Sequence, residues 1–190
     1  RVLRAAQVLL EEGSGKPILI GRPQIIESRL QRFGLRIRPG VDFDLVNPED
    51  DPRYRDYVED YFALVGRMGI NPEAARTIVR TNNTVIGALA VRRGDADALI
   101  CGVEGRFDRH LRDVGQIIGK KPGVRAFSGL SLLISQRGAI FFTDTFVTYN
   151  PSAAEIAEMT ILAAQEIRRF GITPRAALIS HSNFGSRDSD

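Results

Sequence analysis

Short apolar runs alternate with helix-spaced stretches along most of this sequence, and that alternation restricts the fold more than any other feature. Residues 1–12 carry Val2, Leu3, Ala6, Leu9 and Leu10 at helical spacing and stop at Gly13. PILIG (17–21) reads as a short buried strand. Pro23 opens a second helix bearing Ile25, Ile26, Leu30 and Phe33, closed by Gly34. DFDLVNP (42–48) alternates like a strand and leaves through Asn-Pro. Residues 53–67 place Tyr54, Tyr57, Val58, Tyr61 and Leu64 on one helical side. Asn71 caps a further helix with Pro72 in its first position. TVIGALAVRRGD (84–95) is helical and ends at Gly94. ADALICGV (96–103) reads as a buried parallel strand, and a helix follows at 107–119. Such alternation predicts an α/β fold of three layers, αβα, around a mostly parallel sheet.

After KPG (121–123) the rhythm changes. VRAFSGLSLLIS and GAIFFTDT read as two strands joined by QRG (136–138), hence a hairpin. Ser152 and Glu155 form a capping box that starts a long helix at 153–170, ending at Gly171. Pro174 precedes a last strand, AALIS (176–180), whose tip SHSNFGS is polar. The expected organisation is a first α/β subdomain, 1–122, and a partial second one, 123–190, flanking a cleft. A hairpin, one helix and one strand are thin for an α/β layer, so the second subdomain is expected to continue past Asp190.

Composition excludes several classes. No run approaches the ~18 apolar residues of a membrane span. The opening RVLRAAQVLLEEG carries acidic residues where a signal peptide would be cleaved, so it reads as an amphipathic helix. A single cysteine cannot close an internal disulfide, which fits a reducing cytoplasm. The net charge is +3, and 23 of the 26 basic residues are arginine, with Lys16, Lys120 and Lys121 the only lysines. Arginine suits phosphate and carboxylate. No zinc spacing, nucleic-acid module or aromatic-interleaved basic stretch accompanies it, so nucleic acid is not the expected partner.

Ligands of parallel sheets bind beyond the C-terminal strand ends, near helix N-termini. Three such ends are polar here: CGVEGRFDRH, TDTFVTYNPS and SHSNFGS. Gly102 and Gly105 permit close backbone approach ahead of Arg106, Arg109 and Arg112, and Arg109 and Arg112 share a helix face. Two readings are open: an anion site, or ordinary turn glycines before a solvated helix. Asp144 ends an apolar strand and either holds a ligand or caps a turn. Asn150 lies just beyond it. Ser180, His181 and Ser182 alternate faces in a strand, and no nucleophile elbow surrounds them, so a catalytic triad is not expected. Hydrogen bonding to a ligand by Ser182 and Asn183 competes with a plain loop. Cys101 is expected in the core, and His110 on the helix surface.

The residues also carry a resemblance. IGALAVRRGDADALICG (86–102), IIGKKPGV (117–124), DTFVTYNPSAAEIAEMTILAAQEIRRFGITP (144–174) and ALISHSNFGS (177–186) resemble phosphotransacetylases along most of the chain. NPEDDPRYRDYVEDYFALVGRMGI (47–70), RRGDADALICGVEGRF (92–107) and SHSNFGS look like the C-terminal phosphotransacetylase-like domain of bacterial NADP-dependent malic enzymes, members of the phosphate acetyl/butaryl transferase family. The likeness implies the phosphotransacetylase fold, related to that of isocitrate dehydrogenases. It implies acetyl-CoA as an inhibitory effector and a homo-oligomer, dimer or higher. It also implies a preceding malic-enzyme catalytic domain, where NADP and a divalent metal would bind and malate would be oxidatively decarboxylated to pyruvate.

Departures from the transferases matter. Their histidine-serine-threonine loop is replaced by Gly105, Arg106 and Phe107, and one family arginine falls on Val65, with Arg67 nearby. Arg112 matches an arginine they use for the anionic substrate. A later serine-arginine element would lie beyond Asp190. The set expected to touch ligand is Arg106, Arg112, Ser128, Asp144, Asn150, Ser182 and Asn183, with no catalytic residue. An active phosphate acetyltransferase and a purely structural oligomerisation domain are the alternatives.

Overall fold

A computed structural model describes residues 1–179. The chain divides into two compact units, Arg1–Gly119 and Lys120–Asp190.

The first unit is built on a two-stranded parallel ribbon, β1 (Ile18–Ile20) beside β2 (Asp44–Val46), in the register Ile18 to Asp44 and Ile20 to Val46. Successive strand residues point to opposite faces. Ile18, Ile20 and Val46 therefore join one core with Tyr57, Tyr61, Val65, Ala75, Val79, Leu89 and Ile117. Leu19 and Leu45 join another with Ala6, Ile26, Leu30, Ile37 and Phe43. Helices α1 (Val2–Glu11) and α2 (Pro23–Arg32) cover the second face. Helices α3 (Tyr54–Val65), α4 (Pro72–Thr81), α5 (Asn83–Arg93) and α6 (Phe107–Ile117) cover the first. The result is the expected mixed α/β layering, on a narrower ribbon than the sequence implied.

Local chemistry sets most element ends. Pro23 and Pro72 occupy first helical turns, where the missing N–H costs nothing. Asn71 Oδ1 accepts from the Ala74 N–H at 2.8 Å. Asn82 ends α4 and caps α5, accepting from the N–H groups of Thr84 and Val85 at 3.0 and 3.3 Å. Gly94 stops α5 in the left-handed conformation, φ +80°. Helix α5 is buried along its whole side from Thr84 to Ala90. A Cβ at Gly87 would stand 2.5 Å from Leu99 Cδ1, so a larger residue there would force the Leu99 side chain to shift.

The second unit contains the antiparallel hairpin β3 (Ser131–Ser135) and β4 (Gly138–Phe142), with Ser131 opposite Phe142 and Ser135 opposite Gly138. Helix α7 (Ala153–Arg169) follows. Its capping box is present: Ser152 Oγ accepts from the Glu155 N–H at 3.3 Å, and Glu155 Oε2 accepts from the Ser152 N–H at 2.8 Å.

Two expected strands differ. Residues 96–103 form no strand; Leu99 and Ala96 touch the core, but Ile100 is 96% exposed and Val103 80%. Residues 176–179 of the last expected strand are likewise irregular and exposed. A run of apolar residues becomes a strand only when a neighbour satisfies its N–H and C=O groups. Among the described residues, β1 pairs with β2 and β3 with β4, and neither segment has such a neighbour. Cys101 is consequently exposed rather than core.

Candidate functional site

In the first unit the segment before α6 turns sharply. Gly102 and Gly105 have φ of +115° and +93°, and Val103 sits at +70°. Positive φ is a genuine outlier for a β-branched residue. Arg106 is the residue before α6. Its guanidinium makes a bidentate contact with Asp108, Nε to Oδ1 at 3.0 Å and Nη2 to Oδ2 at 2.9 Å. That hydrogen bond holds the Asp108 carboxyl below its usual range. Arg109 and Arg112 are exposed on α6, and Arg112 Nε lies 3.7 Å from Asp113 Oδ1.

The interior behind this turn is polar, a feature the helical spacing alone did not reveal. His110 is half-buried, not a bare surface histidine. Its Nδ1 lies 2.8 Å from Thr84 Oγ1 and its Nε2 2.8 Å from the Glu104 carbonyl. A Cβ at Gly105 would come within 2.9 Å of His110 Nε2, which requires glycine there on steric grounds as well as backbone ones. Asp113 is only 7% exposed, and its Oδ2 accepts from Asn82 Nδ2 at 2.7 Å. So the residue that caps α5 also holds α6. Burial first, and then the Asp113 charge, push the Tyr61 pKa up. The sequence signal for Asp113 was a carboxylate one residue from the apolar stripe of α6. For His110 it was the Thr84–His110 pairing of two elements, which no local pattern encodes.

At the far end of α3 lies a second polar cluster. Tyr57 is 1% exposed and donates to Asp95 Oδ2 at 2.9 Å. Arg93 bonds Asp60 at 2.6 Å and Asp56 at 3.1 Å. The guanidiniums of Arg53 and Arg93 lie 5.9 and 5.8 Å from the Tyr57 ring centre. This cluster ties α3 to the exit of α5.

Of the expected ligand set, Ser128, Asp144 and Asn150 belong to the second unit. Asp144 Oδ1 accepts from the Gly129 N–H at 2.8 Å, and Oδ2 accepts from the N–H groups of Val147 and Thr148. Its carboxylate thus caps a turn and stitches 127–129 to 144–148, bringing half-buried Ser128 beside it. Asn150 is exposed further along. Two grooves on this unit are lined by Arg168 and Gly171–Pro174, and by Pro122–Arg125 against α7; neither contains these three residues. Ser182 and Asn183, with Ser180 and His181, lie outside the described residues. Among the described residues no three His, Cys, Asp or Glu side chains gather as a metal site requires, and no helix is long and apolar enough to cross a membrane.

Helices on both faces of a parallel ribbon, with a glycine-rich turn leading into an arginine-bearing helix, define a layered α/β protein. The pattern of the phosphate acetyl/butaryl transferase family matches residues 1–190, and the chain belongs to that family. It is similar over 190 residues, at 80% identity, to the NAD-dependent malic enzyme of Rhizobium meliloti (strain 1021). It is 48% identical over 188 residues to the NADP-dependent malic enzyme of Escherichia coli (strain K12). All or nearly all of this chain is covered in both cases, 100% and 99%, yet it spans only 25% of each relative's length. The EutD phosphotransacetylase of Staphylococcus aureus superposes over 100% of this chain and 56% of that structure, with a TM-score of 0.84 and 28% identity. The chain therefore has the phosphotransacetylase fold and corresponds to the phosphotransacetylase-like domain of malic enzymes.

Proposed function

We propose that these residues serve as the effector-binding part of a cytoplasmic malic enzyme, holding acetyl-CoA as an inhibitor and helping the protein oligomerise without transferring the acyl group. The observation that carries this reading is the pairing of a phosphotransacetylase fold with 80% identity to a malic enzyme of whose length it spans 25%. The parent reaction is oxidative decarboxylation of malate to pyruvate. It uses a nicotinamide coenzyme and a divalent metal held by the portion outside these residues. The two relatives differ in the coenzyme their names carry, so NAD and NADP are both compatible.

The turn at 102–106 supports anion binding more than catalysis. The transferase histidine and its hydroxyl neighbours are absent, which leaves no acyl-transfer base at this turn; the Arg106 guanidinium is paired with Asp108. Exposed Arg112 supplies a charge for the phosphates or carboxylate of a ligand. An effector controls a remote site only through different affinities for two global states, commonly about 1–3 kcal/mol.

The test uses the full-length protein. Saturating acetyl-CoA raises its melting temperature and lowers malate-dependent coenzyme reduction, while no acetyl phosphate forms from acetyl-CoA and phosphate. Acetyl phosphate formation would favour the transferase reading, which the S. aureus likeness supports. Stable oligomers with no thermal shift would leave a structural role.

A further inference from the structure

We propose that His110 is a positioning residue for the turn before α6: it holds the Glu104 carbonyl inward and so aims the Gly105 N–H outward, at a phosphate oxygen of the bound effector. The inference rests on the effector-binding reading above. His110 Nε2 lies 2.8 Å from the Glu104 carbonyl, and Nδ1 lies 2.8 Å from Thr84 Oγ1. A carbonyl only accepts, so Nε2 carries the hydrogen and donates it. Thr84 is 5% exposed at the start of α5, which braces the far side of the ring against a buried helix. The C=O and N–H of a planar trans peptide point in opposite directions. The peptide from Glu104 to Gly105 is trans and turns its C=O to the ring, so it presents the Gly105 N–H away from the ring. That N–H has no partner among the described residues, and residues 101–109 are all exposed.

The turn needs such a tie. Gly102, Val103 and Gly105 all have positive φ, and a β-branched residue at +70° persists only where its surroundings hold it. Among the described residues, the Glu104 carbonyl makes the one hydrogen bond found for the backbone of 97–105. The approach is close enough to exclude a side chain at 105, where a Cβ would stand 2.9 Å from His110 Nε2.

Bulk charge does not select an anion here. From Gly102 to Asp113 the carboxylates of Glu104, Asp108 and Asp113 match the guanidiniums of Arg106, Arg109 and Arg112, with the imidazole neutral. Asp108 pairs with Arg106, and Asp113 lies 3.7 Å from Arg112. With the segment's charge balanced, affinity for an anion depends on donors aimed at it. A backbone N–H bonds well to an anionic oxygen, and one already held in place needs no ordering when the ligand arrives.

Two amide substitutions in the full-length protein decide this. His110→Gln keeps an N–H donor near the place of Nε2, whereas His110→Asn reaches only the place of Nδ1. Hydrogen exchange of a peptide covering 102–107 reads the turn without ligand, and calorimetric titration with acetyl-CoA reads the donor, both well below the melting temperature of each variant. His110→Asn should speed the exchange and weaken acetyl-CoA about tenfold, the effect of one hydrogen bond to a charged group. His110→Gln should stay near the parent in both. Gly105→Ala, which displaces the ring, should behave like His110→Asn and tests the same tie if the histidine variants fold poorly. Equal losses in the two amide variants would mark a packing role and overturn the proposal, as would parent-like affinity in His110→Asn. A parent protein that does not bind acetyl-CoA defeats the effector reading itself, whereas a parent that binds it with either of those outcomes defeats only the role of His110.

Discussion

His110 Nδ1 and Thr84 Oγ1 lie 2.8 Å apart and join α6 to the buried start of α5. The opposite ring nitrogen faces the Glu104 carbonyl, which can only accept. Nε2 therefore carries the hydrogen, and Nδ1 accepts from the threonine hydroxyl. Thr84 is 5% exposed, so removing its hydroxyl leaves a shielded acceptor unpaired. Thr84→Val should cost about 1–3 kcal/mol in urea unfolding. Gly105→Ala should destabilise through both its φ of +93° and its contact with His110. Combining Gly105→Ala with His110→Ala should cost less than the sum of the two, because the steric part is shared.

Tyr57 sets an alkaline limit. Burial, and then the hydrogen bond to Asp95, push its pKa from 10.0 up to about 12. The unfolded chain releases this proton first, so the tyrosine's contribution is intact below pH 10 and disappears as pH rises towards about 12. Unfolding measured across that window should show a fall in stability that is smaller in Tyr57→Phe. At neutral pH that variant should lose about 1 kcal/mol for the missing hydrogen bond.

Asp144 sets an acid limit on the second unit. Burial raises its pKa, but the N–H groups of Gly129 and Thr148 outweigh that and hold it below the ordinary 3.8. A depressed carboxyl stabilises the fold above the unfolded value, and the contribution is lost as pH falls through the folded one. Acid titration should therefore loosen the 127–129 and 144–148 stitching below about pH 4. Asp144→Asn should be less stable at pH 7 and should lose less between pH 5 and pH 2.

Ser152→Ala removes the acceptor for the Glu155 N–H at the start of α7. The expected loss is about 1 kcal/mol, read by thermal unfolding. Ser152→Asp should recover most of it.

Arg112→Ala tests the ligand reading directly. Arg112 is exposed, and its 3.7 Å approach to Asp113 is a weak pair. Stability without ligand should change by less than about 0.5 kcal/mol. The thermal shift produced by acetyl-CoA in the full-length protein should be lost. An undiminished shift would remove Arg112 from the site.

What the sequence determined alone is local. Pro23, Asn71, Pro72, Gly94 and the Ser152–Glu155 box act within one turn of themselves, so those helix limits were legible from residue order. The hairpin was legible for the same reason. Strand status was not: ADALICGV has the composition of an inner strand, yet the described structure leaves Ile100 and Cys101 in the open. Hydrogen-bonding partners for a strand come from elsewhere in the fold, and the run itself does not encode them. The same holds for the polar interior. Arg106 and Arg112 were visible as charges, but Thr84 beside His110, Asn82 beside Asp113 and Tyr57 beside Asp95 are pairs separated by 26, 31 and 38 residues. Only packing α3, α5 and α6 on one face of the β1–β2 ribbon brings those groups within hydrogen-bonding distance. Once shielded from water, each polar group needs the partner that the tertiary structure supplies.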